Sequence, residues 1–111
     1  MNKLHMTLVA FTSLALTSSA AFALDDAARE TLMKDSKCLK CHAVDKDKTG
    51  PSFKKTAAKY KGKADGEQKV VDQMTKEPKY KTEDGTEEKH AVIKSTNEAD
   101  IKAVAAWILA Q

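Results

Sequence analysis

Two cysteines and a histidine, Cys38, Cys41 and His42, lie within the five consecutive residues CLKCH. Thioether attachment of haem needs two thiols that are spaced to meet its two vinyl groups. It also needs an imidazole that reaches the iron from the same turn of the chain. The spacing C-x-x-C-H meets both requirements and is the attachment sequence of c-type haem. The sequence therefore predicts one covalent haem held through Cys38 and Cys41, with His42 as an iron ligand.

Other uses of the cysteine pair are less consistent with the surrounding residues. A thioredoxin-like dithiol needs a βαβ setting, but residues 25–37 are charged with helical spacing, and no alternating strand pattern follows residue 23. A zinc site needs four ligands, and downstream of the motif only His90 remains. A disulfide within the motif would close a very small loop and would constrain little of the unfolded chain. Haem attachment is the favoured interpretation.

The residues before the motif are predicted to be helical. Asp25 or Asp26 can cap a helix that runs to about Lys37, with Ala28 and Leu32 on its apolar side. The motif follows directly, so the first cysteine is expected at the end of this helix.

The middle of the chain is predicted to alternate short helices with polar connections. The segments are a loop over 43–52, helices over 53–60 and 67–76, and a long polar loop over 77–96. The first loop contains a turn at Gly50-Pro51. Pro78 prevents the second helix from continuing. A loop as long as the last one is usually functional or disordered in a compact domain.

The last element has the clearest pattern. Its apolar residues recur at i, i+3, i+4, i+7 and i+8, and they are Ile101, Val104, Ala105, Ile108 and Leu109. This spacing predicts an amphipathic helix of about three turns. Ser95 and Glu98 have the spacing of a capping box, and Asn97 is a competing cap.

The N-terminus has the pattern of a secretory signal peptide. Lys3 is followed by an apolar run and then by the small-x-small sequence Ala21-Phe22-Ala23, which predicts cleavage after residue 23. The apolar run is too short for a membrane span, which needs about 20 apolar residues. We therefore expect an exported, periplasmic domain of residues 24–111 without a membrane span. We expect no binding to nucleic acid, because the formal net charge of the chain is only +3 and the domain is exported. A domain of this size benefits from a large apolar cofactor in its core.

Over residues 24–111 the chain resembles the short bacterial class I c-type cytochromes. The resemblance lies in the helix ending at CLKCH, in the segment TGPSFKKTAAKYKGK, and in the final EADIKAVAAWIL. It implies an all-α fold of four or five short helices around one covalent haem c with its iron. It also implies that the first and last helices cross, with Ala28 and Trp107 near the crossing.

The resemblance also assigns roles to single residues. It implies that Cys38 and Cys41 form the thioethers and that His42 is the proximal iron ligand. Pro51 matches the proline whose carbonyl accepts a hydrogen bond from the proximal imidazole, a contact that orients the ring and raises its basicity.

The distal ligand departs from the family pattern. The family usually has a methionine in the loop before the last helix, and residues 77–96 contain none. Met74 is the only methionine after His42, and it lies on an apolar helical stripe, where methionine usually fills a core. His90 lies close to the position of the family methionine, although its charged neighbours are typical of a solvated surface. We expect His90 as the sixth ligand, with Met74, an open or water-bound position, or a ligand such as Lys89 as the alternatives.

Outer-sphere electron transfer is the predicted function, so no substrate bond is made or broken and the protein is not an enzyme. Lysines near the motif predict an acidic redox partner, and the protein is expected to act as a monomer. The lysines near the motif are Lys37, Lys40, Lys46, Lys48, Lys54, Lys55, Lys59, Lys61 and Lys63. The alternative is a haem-based sensor or small-ligand binder whose sixth position is labile or open.

Overall fold

A computed structural model describes residues 24–111, and the signal peptide expected over residues 1–23 lies outside the described residues. The helices are α1 (Asp26–Asp35), α2 (Cys38–Cys41), α3 (Phe53–Tyr60), α4 (Gly66–Thr75) and α5 (Glu98–Leu109), and the strands are β1 (Lys79–Lys81) and β2 (Glu87–Lys89). The expected four or five short helices are therefore present as five, with a small two-stranded sheet added.

Helix α1 ends before the cysteines, which corrects the prediction of one helix running to about Lys37. Its cap is Asp25, whose carboxylate accepts a hydrogen bond from the amide of Ala28 over 2.7 Å. Ser36 closes the helix, and Lys37 then adopts the left-handed conformation with φ of 64°. This turn starts α2 in a new direction, so the two cysteines lie on a short helix of their own.

Helix α5 contributes more buried residues to the core than any other element of the described chain. Val104 and Ala105 are fully buried, and Ile101 and Ile108 lie beside them. Helix α5 packs against α1, α3 and α4. The apolar spacing that predicted this helix therefore also identified the residues that it buries.

The contact between the first and last helices involves Trp107, as expected. The guanidinium carbon of Arg29 on α1 lies 4.8 Å from the centre of the Trp107 ring, within the range of a cation–π interaction. Ala28, the other residue expected there, is half-buried on α1.

The segment before α5 is not the structureless loop that its polar sequence predicted. Strands β1 and β2 pair antiparallel, with Tyr80 directly opposite Glu88. Gly85, with φ of 84°, allows the tight turn between them. Hydrogen bonds from Thr82 and Thr86 to the carboxylate of Asp84 close this turn and lower the pKa of Asp84 to about 2.

Backbone hydrogen bonds close the base of the hairpin and attach the segment after it to α4. The amide of His90 donates to the carbonyl of Pro78, and the amide of Ile93 donates to the carbonyl of Met74, each over 2.9 Å. The side chain of Ile93 is buried in the core. Over residues 24–111, the helices are all too short or too polar to cross a membrane.

The cap of α5 is Asn97, which decides between the two caps that the sequence offered. Its side-chain oxygen accepts from the amide of Ala99 over 2.9 Å, whereas Ser95 accepts from the amide of Asn97 and does not reach the helix. Because this side chain caps the helix that contributes the largest share of the core, we expect Asn97→Ala to lower the free energy of unfolding by about 1 kcal/mol. Ser95→Ala is the matched control and should change it by less than about 0.5 kcal/mol. Denaturant titration of the two variants measures this, and an equal loss in both would contradict the assignment of the cap.

Candidate functional site

The three residues of the CxxCH motif lie on one turn of the chain. Cys38 and Cys41 are the first and last residues of α2, and both thiols are half-buried and free within the described part of the chain. His42 follows in an extended conformation, while its amide still donates to the carbonyl of Cys38 over 2.9 Å. The turn therefore presents two thiols and one imidazole together, as attachment of a haem requires.

Burial raises the pKa of the Cys38 thiol above its ordinary value. A thiol with a raised pKa stays protonated near neutral pH and is a poor ligand for a free metal ion, which binds thiolates. Among residues 24–111, no three histidine, cysteine or acidic side chains are grouped so that they could hold a metal ion by themselves.

The ring of His42 is fixed by a short hydrogen bond. Its Nδ1 lies 2.6 Å from the carbonyl oxygen of Pro51. A carbonyl oxygen only accepts, so Nδ1 carries the proton and Nε2 keeps its lone pair. The tautomer that can bind iron through Nε2 is therefore the one that this contact selects.

The loop over residues 43–52 is built to bring the Pro51 carbonyl to this place. The amide of Gly50 donates to the carbonyl of Cys41 over 2.7 Å, and the amide of Phe53 donates to the carbonyl of Ala43 over 2.9 Å. The ammonium of Lys48 donates to the carbonyl of Leu39 over 2.8 Å. These bonds close the loop against α2.

Gly50 lies in direct contact with the His42 ring. A β-carbon added to Gly50 would lie 2.3 Å from Cε1 of His42, which is closer than such atoms can approach. The chain therefore needs a residue without a side chain here, so that the loop can pass next to the imidazole.

Aromatic side chains support the same ring from the core. The rings of His42 and Phe53 stack with centroids 5.4 Å apart, and Phe53 in turn meets Trp107 edge-on, also at 5.4 Å. Helices α3 and α5 thus back the imidazole. Burial in this environment lowers the pKa of His42, although the bond to Pro51 opposes the shift.

His90, at the end of the hairpin, faces His42. The centroids of the two rings lie 6.1 Å apart and the ring planes are inclined by 40°. Nδ1 of His90 lies 2.8 Å from the carbonyl oxygen of Ala91, so this ring also carries its proton on Nδ1 and keeps a lone pair on Nε2.

The distance between the two imidazoles fits an iron ion shared by both. A histidine nitrogen binds a metal at about 2.0 Å, so two rings on opposite sides of one ion have centroids roughly 6.4 Å apart. The observed 6.1 Å is close to this value. Two imidazoles alone are too few ligands for a protein metal site, whereas a haem supplies the remaining nitrogens. The residues present therefore fit a haem attached at Cys38 and Cys41.

Met74, the alternative sixth ligand, lies in the hydrophobic core. It is 6% exposed and belongs to the same cluster as Val70 and Ile93. A methionine in this setting fills core volume.

The lysines near the motif differ in their partners. Lys54 and Lys55 form ion pairs with Asp45 and Asp47. Within the described residues, the lysines of this group that form no ion pair are Lys37, Lys40, Lys46, Lys48, Lys59, Lys61 and Lys63. We call Lys37, Lys40, Lys46 and Lys48 the unpaired lysine group.

The sequence pattern of residues 77–96 did not predict the hairpin. It therefore did not predict that the ring of Tyr80 lies 6.5 Å from that of His90. The dipeptide Asp84-Gly85 was the available signal, because Asp-Gly between two strands indicates a tight hairpin turn. The flanking residues KYK and EEK lack the alternating apolar residues that normally accompany such a turn.

Comparison with known proteins identifies relatives of one kind. The family model described as "Cytochrome c" matches residues 27–111. Cytochrome c-551 of Azotobacter vinelandii is 32% identical over 80 residues, which cover 72% of this chain and 93% of that protein. Cytochrome c-551 of Pseudomonas aeruginosa is 38% identical over 45 residues, which cover 40% of this chain and only 43% of that protein.

A solved structure is similar over a longer range. The class 1 cytochrome MtoD of Sideroxydans lithotrophicus ES-1 superposes with a TM-score of 0.71 and is 48% identical. The alignment covers 79% of this chain and 97% of MtoD.

The close approach of Gly50 to His42 makes a test of the loop geometry possible. Gly50→Ala should displace the imidazole or the loop and weaken the bond to Pro51, because the added carbon overlaps the ring. We expect a lower yield of haem-loaded protein and a perturbed Nδ1 proton signal of His42 in nuclear magnetic resonance spectra. Thr49→Ala changes an exposed neighbour and is the control. A normal yield and an unchanged signal in Gly50→Ala would contradict the proposed tight packing.

Proposed function

Since the chain belongs to the cytochrome c family and carries one covalent haem c, we propose that it is a single-electron carrier whose iron is bound by His42 and His90. Cys38 and Cys41 form the two thioethers, and Pro51 orients the proximal ring. Members of this family are electron carriers rather than enzymes, and the same holds for this chain.

One observation carries the assignment of the two iron ligands. The imidazoles of His42 and His90 have centroids 6.1 Å apart, and each donates a hydrogen bond from Nδ1 to a backbone carbonyl. Both Nε2 atoms therefore keep a lone pair that can bind a metal, and the centroid separation of the rings suits one ion between them. Met74 remains the alternative ligand, and its place in the core supports a packing role instead.

The bound haem supplies the reversible one-electron chemistry, and the chain supplies its orientation and surroundings. Pro51 and the carbonyl of Ala91 fix the two imidazoles, so the ligands need not move when the charge of the iron changes. Fixed ligands keep the reorganisation energy small, which favours fast electron exchange. A histidine in place of the usual methionine is also expected to lower the reduction potential, because methionine ligation raises it.

We further propose that the protein works in the periplasm and as a monomer, and that it meets an acidic redox partner. The signal-peptide pattern of residues 1–23 supports export. The unpaired lysine group supports the nature of the partner, because these charges are not neutralised within the described residues and can attract an acidic surface.

A sensor or small-ligand binder is the second candidate function. It is favoured by the position of His90 on a hairpin whose second strand, Glu87–Lys89, is exposed at every residue. A ligand carried by so peripheral an element can detach more easily than one held by the core. In that case carbon monoxide would bind the ferrous protein rapidly and completely, whereas an electron carrier with a firm sixth ligand would resist it.

Removal of His90 tests the ligand assignment directly. The ferric haem of the intact protein should be low-spin, and His90→Ala should convert it to a high-spin form, because the iron loses a strong ligand. Absorption and electron paramagnetic resonance spectra measure the change. Met74→Leu preserves core volume and is the matched control, with an unchanged spectrum. An unaltered low-spin spectrum in His90→Ala would overturn the assignment, and a change in Met74→Leu would favour Met74.

Ionic strength tests the basic surface. The rate of electron transfer to an acidic partner should fall by about tenfold between roughly 0.01 M and 0.15 M salt, as the Debye length shrinks from about 30 Å to about 8 Å. Lys46→Gln should lower the low-salt rate, whereas Lys102→Gln, which removes the same charge from α5, should have little effect. Rates that do not respond to salt would remove the unpaired lysine group from the proposal.

A further inference from the structure

Tyr80 occupies a distinctive place on the hairpin. Tyr80 pairs directly with Glu88 across the two strands. Side chains two residues apart on a strand point to the same face, so His90 lies diagonally across from Tyr80 on that face. Aromatic side chains can span such a diagonal.

The side chains of these residues do meet. The rings of Tyr80 and His90 lie edge to face, with centroids 6.5 Å apart and planes inclined by 74°. The hydroxyl of Tyr80 donates to a carboxylate oxygen of Glu88 over 3.0 Å. One end of the tyrosine is thus held by the opposite strand while its ring borders the imidazole.

Two hydrogen bonds also hold His90 in place. Its backbone amide is bonded to Pro78 and its Nδ1 to Ala91, and these contacts fix the main chain and one ring atom. The bond at Nδ1 restrains the ring at one atom, and the ring of Tyr80 borders the same imidazole. His42 has an equivalent neighbour in Phe53, with centroids 5.4 Å apart.

We propose that Tyr80 is a positioning residue for His90, and that its ring holds the imidazole in the orientation from which Nε2 reaches the haem iron. The inference rests on the proposed ligation of the iron by His90. The ring of Tyr80 has the larger role and its hydroxyl the smaller one. The hydroxyl contact to Glu88 is exposed to solvent, and exposed polar contacts contribute little to stability.

The competing explanation is that Tyr80 only stabilises the hairpin as a cross-strand partner of Glu88. Loss of the ring would then lower stability without changing how His90 binds the iron. The two explanations differ in two spectroscopic and kinetic readouts. One is the electron paramagnetic resonance spectrum of the ferric haem, which responds to the relative orientation of the two axial rings. The other is the rate at which carbon monoxide replaces His90 on the ferrous iron.

The experiment compares four haem-loaded variants with the intact protein. Tyr80→Val removes the ring and keeps a residue that favours a strand, and Tyr80→Leu is a second truncation in case the first does not load haem. Tyr80→Phe keeps the ring without the hydroxyl. Tyr60→Leu removes another half-buried tyrosine, at the end of α3, and is the matched control for general destabilisation.

Tyr80→Val or Tyr80→Leu should bind carbon monoxide about threefold to tenfold faster than the intact protein, the range that an aromatic pair provides. Their ferric spectra should also shift. Tyr80→Phe should remain within about twofold in rate, and Tyr60→Leu should keep the rate and spectrum of the intact protein. An unchanged rate and spectrum in both truncations would overturn the inference, as would an equal change in Tyr60→Leu.

His90→Ala, measured in the same series, separates this inference from the ligand assignment. If His90→Ala loses the low-spin spectrum while the Tyr80 truncations behave like the intact protein, His90 stands as the ligand and the role of Tyr80 is wrong. If His90→Ala keeps the low-spin spectrum, the proposed ligation fails, and the positioning role of Tyr80 fails with it.

Discussion

The hydrogen bond between Nδ1 of His42 and the carbonyl of Pro51 is the contact on which the rest of the site depends. It sets the tautomer of the imidazole and the direction of its free nitrogen. For the carbonyl to reach the ring, the loop after α2 must fold back tightly, and Gly50 permits this because a side chain there would overlap His42. The remaining loop bonds, from Gly50 to Cys41 and from Phe53 to Ala43, serve the same arrangement.

The two sides of the site are supported differently. On the side of His42, Phe53 and Trp107 connect the imidazole to the buried face of α5. On the side of His90, support comes from a two-stranded hairpin with exposed strand residues and from a few backbone hydrogen bonds. The proposed proximal ligand therefore packs against a core residue, Phe53, whereas the proposed distal ligand lies on an element outside the core. Local opening is expected first where few apolar contacts are buried.

Sequence patterns predicted the helical part of the structure well because its signals are local and periodic. The helix over 53–60 has the bounds that its apolar residues indicated, and the stripe from Ile101 to Leu109 marks the helix that carries the core. The break at Lys37 was missed, since a left-handed residue other than glycine has no clear sequence signal. The hairpin was missed because its pairs are polar and its stability depends on contacts between distant residues, such as Ile93 with Met74. The geometry between His42 and His90 likewise depends on tertiary packing, although both residues could be named as candidates beforehand.

The attachment of the hairpin has a consequence for how such proteins can diversify. The hairpin between Pro78 and His90 is closed at its base by the main-chain hydrogen bond from His90 to Pro78, and none of the buried core side chains belongs to it. Apart from Tyr80, whose ring borders His90, residues 79–89 can therefore vary in length and sequence without repacking α5. The hairpin that precedes His90, the proposed distal ligand, is therefore a module that evolution or a designer can exchange. The redox properties of the protein can change in this way while its fold and its haem attachment are inherited intact.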